Sequence, residues 1–318
     1  MSSRQTVLAV VALVLLAGLG LYVGNYTTYL LNLAMIAVIA AVGLNLLTGN
    51  SGQISLCHSS FMAIGAYVSS LLGARYGLPF WASIPIAAAV AALIGALLGF
   101  PARRLHGIYL ALATLGFLQI VQIVIEEFAD ITGGVRGLNV PKPVWFSGAE
   151  VSPYHLYMIV AATAVFAVWT AANILASSYG REMNAVRLSP HAAQALGVAV
   201  ARVKLAAFAL SAAYAGVAGG LMAMVVGFID PIEFGVGAAL RQITYIVVGG
   251  MGSVAGSVIG AAVLSGLPEV LRPVREYSDL IYTLILLGFL LFMPNGLVVV
   301  WDHFRRAAWR AIDRARAR

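Results

Sequence analysis

The run Gly49-Asn50-Ser51-Gly52-Gln53-Ile54-Ser55-Leu56-Cys57-His58-Ser59-Ser60 brings amides, hydroxyls, a thiol and an imidazole close together in the chain. Groups of this kind can supply a nucleophile and a base. Cys57 and His58 do not make such a pair, because neighbouring side chains on a helix diverge. The run is also rich in glycine and lies between two apolar stretches without charge. One reading is an interrupted helix whose half-helix ends face a substrate pathway, with Ser51, Gly52, Gln53, Ser55 and His58 as pathway candidates. The other is a plain connecting loop.

A second constellation is Gln119, Gln122 and Glu126, at i, i+3 and i+7 and therefore on one helical face. Such a face avoids lipid, either by lining a translocation path or by hydrogen bonding to a neighbouring helix. Gly249, Gly250 and Gly252 mark a second place where a helix must break and are pathway candidates as well, as are Gln119 and Gln122. Gly95 with Gly99, Gly216 with Gly220, and the series Gly252, Gly256 and Gly260 are spaced by four, the signature of close helix approach. Catalytic motifs are missing. Neither Lys142, preceded by Pro141, nor Lys204, preceded by Val203, stands in a phosphate-binding loop, and the sequence has no His-Glu-x-x-His or Gly-x-Ser-x-Gly. No catalytic residue and no metal ligand set is expected.

The elements that hold these residues follow from composition. Of 318 residues 61% are hydrophobic and 10% charged, and the mean hydropathy is +0.94. A soluble domain carries roughly 25% charged residues, so the solvent here is largely lipid. A lone cysteine, Cys57, excludes an intrachain disulfide. The fold class expected is an all-α polytopic membrane bundle of about eight spans. These fall near 7–24, 29–48, 59–74, 81–100, 107–126, 155–177, 205–228 and 280–300, with the first read as an uncleaved span rather than a signal peptide. The whole chain, 1–318, forms one transmembrane domain.

Basic residues are retained on the cytoplasmic side. With the N-terminus inside, the cytoplasm holds Arg4, Arg103, Arg104, Arg181, Arg187, Arg202, Lys204 and the tail 302–318 with its six arginines, while Arg75, Arg136, Lys142 and Arg241 lie outside. Both termini are then cytoplasmic. Parity makes 240–267 enter and leave on the outer side, as a re-entrant hairpin or as two short helices meeting near Gly249–Gly252. Lipid cannot satisfy a broken backbone there, so the bend must be buried in protein or line a wet cavity.

The longest polar insertion on the cytoplasmic side is the loop 178–204. Its Ala and Leu around Pro190 read as short helices, and Gly197 as a stop. It is either a docking surface for a cytosolic partner or an amphipathic element resting on lipid headgroups.

Five stretches together carry a family resemblance: GLNLLTGNSGQISLCHSSFMAIGAY (43–67), RLHGIYLALATLGF (104–117), TGGVRGL (132–138), GREMNAVRLSPHAAQALGVAVARVKLAAFALSAAYAGVAGGL (180–221) and VVGGMGSVAGSVIGA (247–261). Over nearly its whole length the chain resembles the LivM-type permease subunits of bacterial branched-chain amino-acid ABC importers. That resemblance implies a bacterial inner-membrane permease that pairs with a second related permease. It also implies two cytosolic ATP-binding subunits and an extracytoplasmic substrate-binding protein; nucleic acid is not among the partners. The chain itself would hold no cofactor, ATP and Mg belonging to the ATPase subunits. Within 178–204, the residues Arg181, Glu182, Ala185, Val186, Arg187, Ala192, Ala195, Leu196 and Gly197 then resemble the segment that couples an ABC permease to its ATPase. Cys57 stands where the family usually has Gly, and Leu188-Ser189-Pro190-His191 replaces a segment that is commonly acidic.

Related permeases also carry urea, short amides or other hydrophobic amino acids. A different class, the ion-coupled carrier, commonly holds an intramembrane carboxylate. Here Glu126 lies at a span end and the other proposed spans have none. A membrane-embedded enzyme lacks a nucleophile, base or metal set.

Overall fold

The computed structural model describes residues 24–145 and 150–271, with isolated helical positions between 11 and 20 and at 284, 287 and 288. Apart from those positions and residue 24, the expected spans 7–24 and 280–300 and the basic tail 302–318 lie outside the described residues. The other six expected spans are helices. They are α1 (Asn25–Leu44), α2 (His58–Tyr76), α3 (Phe80–Ala102), α4 (Ile108–Glu127), α6 (Pro153–Ala176) and α9 (Val200–Val226), with a four-residue α5 (Ala129–Thr132) after α4. Five of the helical stretches are long and apolar enough to cross a membrane: α1 extended to Asn50, α3, α4, α6 and α9. The 19-residue α2 is more polar but runs between the same two ends. The chain is therefore a multi-pass helical membrane protein.

Between α6 and α9 stand two short helices, α7 (Ser178–Leu188) and α8 (Pro190–Ala195). The Ser189 side chain caps α8 by accepting from the Ala192 N–H, with Pro190 at the first helical position. Gly197, at φ +85°, ends the element. The Gly-rich stretch is a hairpin of α10 (Val236–Gly249) and α11 (Val254–Val270). At about 1.5 Å per residue these helices are about 21 and 25 Å long, short of the ~30 Å hydrocarbon core.

The long α9 lies at the centre, packed along α3, α2 and α1; α6 and the α10–α11 hairpin cover the rest of α1. Glycine makes these approaches possible. A Cβ at Gly65 would strike the backbone of Gly216, one at Gly219 the Met62 carbonyl, and one at Gly95 the Ala212 side chain. The two spaced pairs thus share one seam, since Gly95 and Gly99 face α9 while Gly216 faces Ala88 and Ala91 of α3. The third series divides. Gly256 and Gly260 press on α10 at Gly249, whereas Gly252 belongs to the turn and faces Arg187.

The connections sort to opposite ends. One end gathers 45–57, the α3–α4 turn, α7, α8 and the hairpin tip. At the other, β1 (Leu138–Asn139) pairs antiparallel with β2 (Phe228–Ile229), and Arg75 Nη2 donates to the Asp130 carbonyl at 3.0 Å. Segments 127–153 and 178–204 are thus at opposite ends, the separation that the distribution of basic residues demands.

Gly219→Val forces a side chain into the Met62 backbone, and overpacking of this kind costs about 1–3 kcal/mol. We expect a lower melting temperature and less monodisperse protein in detergent. Gly266→Ala, with nothing within 4 Å of its Cβ, should match wild type in the same assay.

Candidate functional site

After α1 the helix does not simply stop. Residues Asn45–Asn50 widen into a single π-helical turn, and the chain then runs unwound through Ser51–Cys57 until α2 begins at His58. A π turn leaves local carbonyls and N–H groups without their usual partners, and the polar residues of the run answer them. Ser51 Oγ donates to the Leu47 carbonyl at 2.7 Å, and Thr48 Oγ1 to that of Gln53 at 3.1 Å. Gln53 Nε2 donates to Ser51 Oγ at 2.9 Å and to the Lys204 carbonyl, on α9, at 3.3 Å. Leu56 N–H finds Thr114 Oγ1 of α4 at 3.0 Å. Ser55 lies 3.3 Å from Cys57 Sγ, while His58 Nδ1 turns to Ser211 Oγ at 3.1 Å, so thiol and imidazole serve separate contacts. Among the described residues no three His, Cys, Asp or Glu side chains gather as a metal site would need.

The second break meets the first. Gly250 and Gly252 adopt φ of +119° and +86°, which lets the chain reverse between α10 and α11. Gly252 N–H donates to Asn45 Oδ1 at 2.8 Å, and its carbonyl accepts from Asn50 Nδ2 at 3.2 Å. The third participant is Arg187 of α7, whose Nη1 donates to the Gly49 carbonyl and occupies the space a Cβ on Gly252 would need. Gly52, at φ +72°, lies flat against the aliphatic part of Arg187. Candidates separated by some 200 residues in sequence, Gly49–Ser55 and Gly249–Gly252, therefore form one junction with a residue of the polar loop as its clasp. Asn45, Thr48, Asn50 and Thr114 belong to it too. Asn50 stands in the polar run that the sequence singles out, whereas Asn45, Thr48 and Thr114 carry no signal there, because an Asn or Thr inside an apolar run has no spacing pattern of its own.

The loop helices are anchored, not loose. Met183 and Val186 of α7 and Ala193 of α8 are buried in one apolar cluster with Leu44, Leu47 and Phe208. Tyr179 donates to the Val203 carbonyl at the start of α9, 3.0 Å away. Burial, with the Glu182 carboxylate adding to it, pushes that hydroxyl up to about 12. It stays protonated across neutral pH, so this bond should not respond to pH there. Val186 is thus packing, and Glu182 and Ala185 are half-buried. Arg181, Ala192, Ala195, Leu196 and Gly197 are exposed. Leu188 and Leu196 are 86% and 84% exposed, an apolar pair presented outward. Beside them a groove of about 430 Å³ is lined by Arg103, His106, His191 and Lys204 among others.

The stripe on α4 is split. Gln122 approaches Gly235 and is half-buried, as is Glu126, but Gln119 is exposed on the outer surface of the chain. The buried face of α4 is Leu110, Thr114, Leu118 and Ile125.

Removing the Asn45 amide leaves Gly252 N–H without its acceptor, a loss of about 1 kcal/mol. Gly252→Ala adds a left-handed strain of about 1–2 kcal/mol and displaces Arg187. Both variants should melt below wild type in detergent, with Gly252→Ala the worse, whereas Gly116→Ala should not.

The family model described as branched-chain amino acid transport system, permease component, matches residues 26–293. The chain is 35% identical to the high-affinity branched-chain amino acid transport system permease protein LivM of Escherichia coli K12, over 93% of this chain and 75% of that one. It is equally identical to LivM of Salmonella typhimurium, over 80% and 65%. With LivH of Escherichia coli K12 it shares 28% identity over 80% of this chain and 88% of that one. No solved structure matches. With the match spanning all but the first residues and the end of the chain, and a helical membrane bundle beneath it, this protein belongs to the branched-chain amino-acid permease family.

Proposed function

We propose that the chain is one permease of an ATP-driven importer and forms part of the translocation route for branched-chain and other hydrophobic amino acids. The observation that carries the reading is the junction: α7, the anchored helix of an exposed loop, reaches both broken segments of the bundle with one arginine, which donates to the Gly49 carbonyl and packs against Gly252. A force applied to α7 and α8 reaches α9 through Tyr179 and the pathway through Arg187. The force comes from ATPase subunits that hydrolyse ATP with Mg; a second permease, with LivM and LivH as the two kinds of relative, completes the route. An extracytoplasmic binding protein delivers the substrate.

In this reading the end with α7 and α8 faces the cytoplasm, together with the N-terminus and the tail from Asp302. Arg272 and Arg275, beyond α11, add to Arg75, Arg136, Lys142 and Arg241 on the outer side, and thirteen of the nineteen basic residues remain inside. The excess holds with these two included. The exposed Leu188 and Leu196 are the apolar anchors of the ATPase contact. The neighbouring groove with Arg103, His191 and Lys204 suits an acidic segment on that subunit, a charge arrangement consistent with Leu188–His191 replacing a commonly acidic stretch.

Two measurements test this. In sealed cells a membrane-impermeant maleimide should label Val135→Cys and not Leu196→Cys; the reverse pattern overturns the orientation. Leu188→Asp and Leu196→Asp should reduce co-purification of the ATPase and uptake by about tenfold or more, as loss of a buried anchor does, while membrane insertion is unchanged. Normal assembly with normal uptake would leave α7 and α8 as elements that rest on lipid headgroups.

A further inference from the structure

A cleft of about 410 Å³ opens between α1, α10 and α11 at the end opposite the junction, within the ~300–1,000 Å³ typical of small-molecule pockets. Tyr29, Leu33, Ile36 and Ala40 line it from α1, one helical face at i, i+4, i+7 and i+11. Eleven residues at about 1.5 Å each carry it about 16 Å down the helix. Met62 of α2 and Gln242 of α10 also line it. Below Met62, one turn along α2, is His58 at the head of the broken segment.

The lining is differentiated. Towards the mouth Glu233 Oε2 and Arg241 Nη2 stand 3.9 Å apart, each about half exposed; Glu269 lines the cleft as well. At that separation the pair is at the outer limit of an ion pair, and such an exposed contact is worth little. Deeper, the wall is aliphatic. Gln242 is 7% exposed and its Nε2 is held only by Met62 Sδ, at 2.8 Å, a weak acceptor. Its Oε1 has no hydrogen-bond partner. A buried amide oxygen without a donor is costly, and Gln242 lines the cleft, so a donor on what enters satisfies that oxygen once the side chain turns toward it.

We infer that this cleft receives the substrate as a zwitterionic aliphatic α-amino acid. Arg241 takes the carboxylate, Glu233 and Gln242 Oε1 take the ammonium, and Leu33, Ile36 and Met62 cover the branched side chain. The inference rests on the importer reading and deepens it by placing the outward-facing site on α1 and α10, away from Ser51–Ser55. Urea and short amides, without a carboxylate, have no use for Arg241.

The test uses the complete importer in vesicles with the binding-protein side outward. Ser265→Cys places a thiol in the cleft, and its modification by a polar maleimide is followed with L-leucine, urea or acetamide present. L-leucine should slow modification and the other two should not. Arg241→Gln should abolish this protection and lower leucine uptake by about tenfold, the effect of losing one charged contact, and Arg241→Lys should restore part of both. No slowing by leucine in a complex that accumulates leucine rejects the cleft and leaves the importer reading standing, as does equal protection by urea or by the Arg241→Gln complex. A complex supplied with ATPases and binding protein that accumulates no leucine rejects the importer reading itself.

Discussion

A backbone broken inside a bilayer must find its hydrogen-bond partners in protein, because the hydrocarbon offers none. Among the described residues this chain breaks twice, after α1 and between α10 and α11, and the two breaks answer each other. Asn45 accepts from Gly252 and Asn50 donates to it, so neither segment can move far without exposing polar groups of the other. Arg187 adds a charged donor to the Gly49 carbonyl from an element outside both breaks. A loop whose helices are packed into the same apolar cluster as the π turn therefore shares its packing with the broken segment. Contact between the loop and the broken segment then needs no long chain of residues. One side chain spans it.

The rest of the bundle gives this junction its geometry. Lipid supplies no hydrophobic force between spans, so close approach and dispersion must hold them. The glycines of α2, α3 and α9 let backbones meet at Gly65–Gly216 and Gly219–Met62. The consequence is a stiff α1–α2–α3–α9 unit. By contrast α4 is attached along a narrow face, with Ile120, Ile123 and Val124 turned outward. Gln119, exposed on the same side, is polar where lipid alone would not tolerate it. That is the side on which a second permease would remove it from lipid.

Most of the architecture was legible because long apolar runs and clustered basic residues are themselves the physics of insertion: each of the six described spans lies within a few residues of its expected place. The glycine seams were equally legible, except that Gly252 shared the spacing of Gly256 and Gly260 by coincidence and serves a turn. What sequence could not show was pairing across distance. Nothing near Arg187 in the chain says that its guanidinium reaches Gly49, since that depends on how α6 returns the chain to the same end as α1. The two-residue strands β1 and β2 were invisible for the same reason, being a tertiary contact between loops rather than a pattern in either. On α4, periodicity placed Gln119 on one face with Gln122 and Glu126 but could not tell that Gln119 is exposed while the other two are half-buried.

The structure is asymmetric along the membrane normal. At one end a cleft descends about 16 Å along α1, and at the other Asn45, Asn50, Arg187 and Gly252 close the bundle with hydrogen bonds. Between them stand Met62 and His58, one turn apart on α2, so the floor of the cleft and the head of the broken segment are the same helix. Arg187 of α7 donates to the Gly49 carbonyl and lies against Gly252 at the tip between α10 and α11, and α10 carries Gln242 and Arg241 of the cleft wall. One rigid helix of 14 residues therefore joins the closure at one end to the polar groups at the other. α10 packs against α11 through Gly249, Gly256 and Gly260, so the polar wall of the cleft and the closure at the other end belong to one close-packed pair of helices.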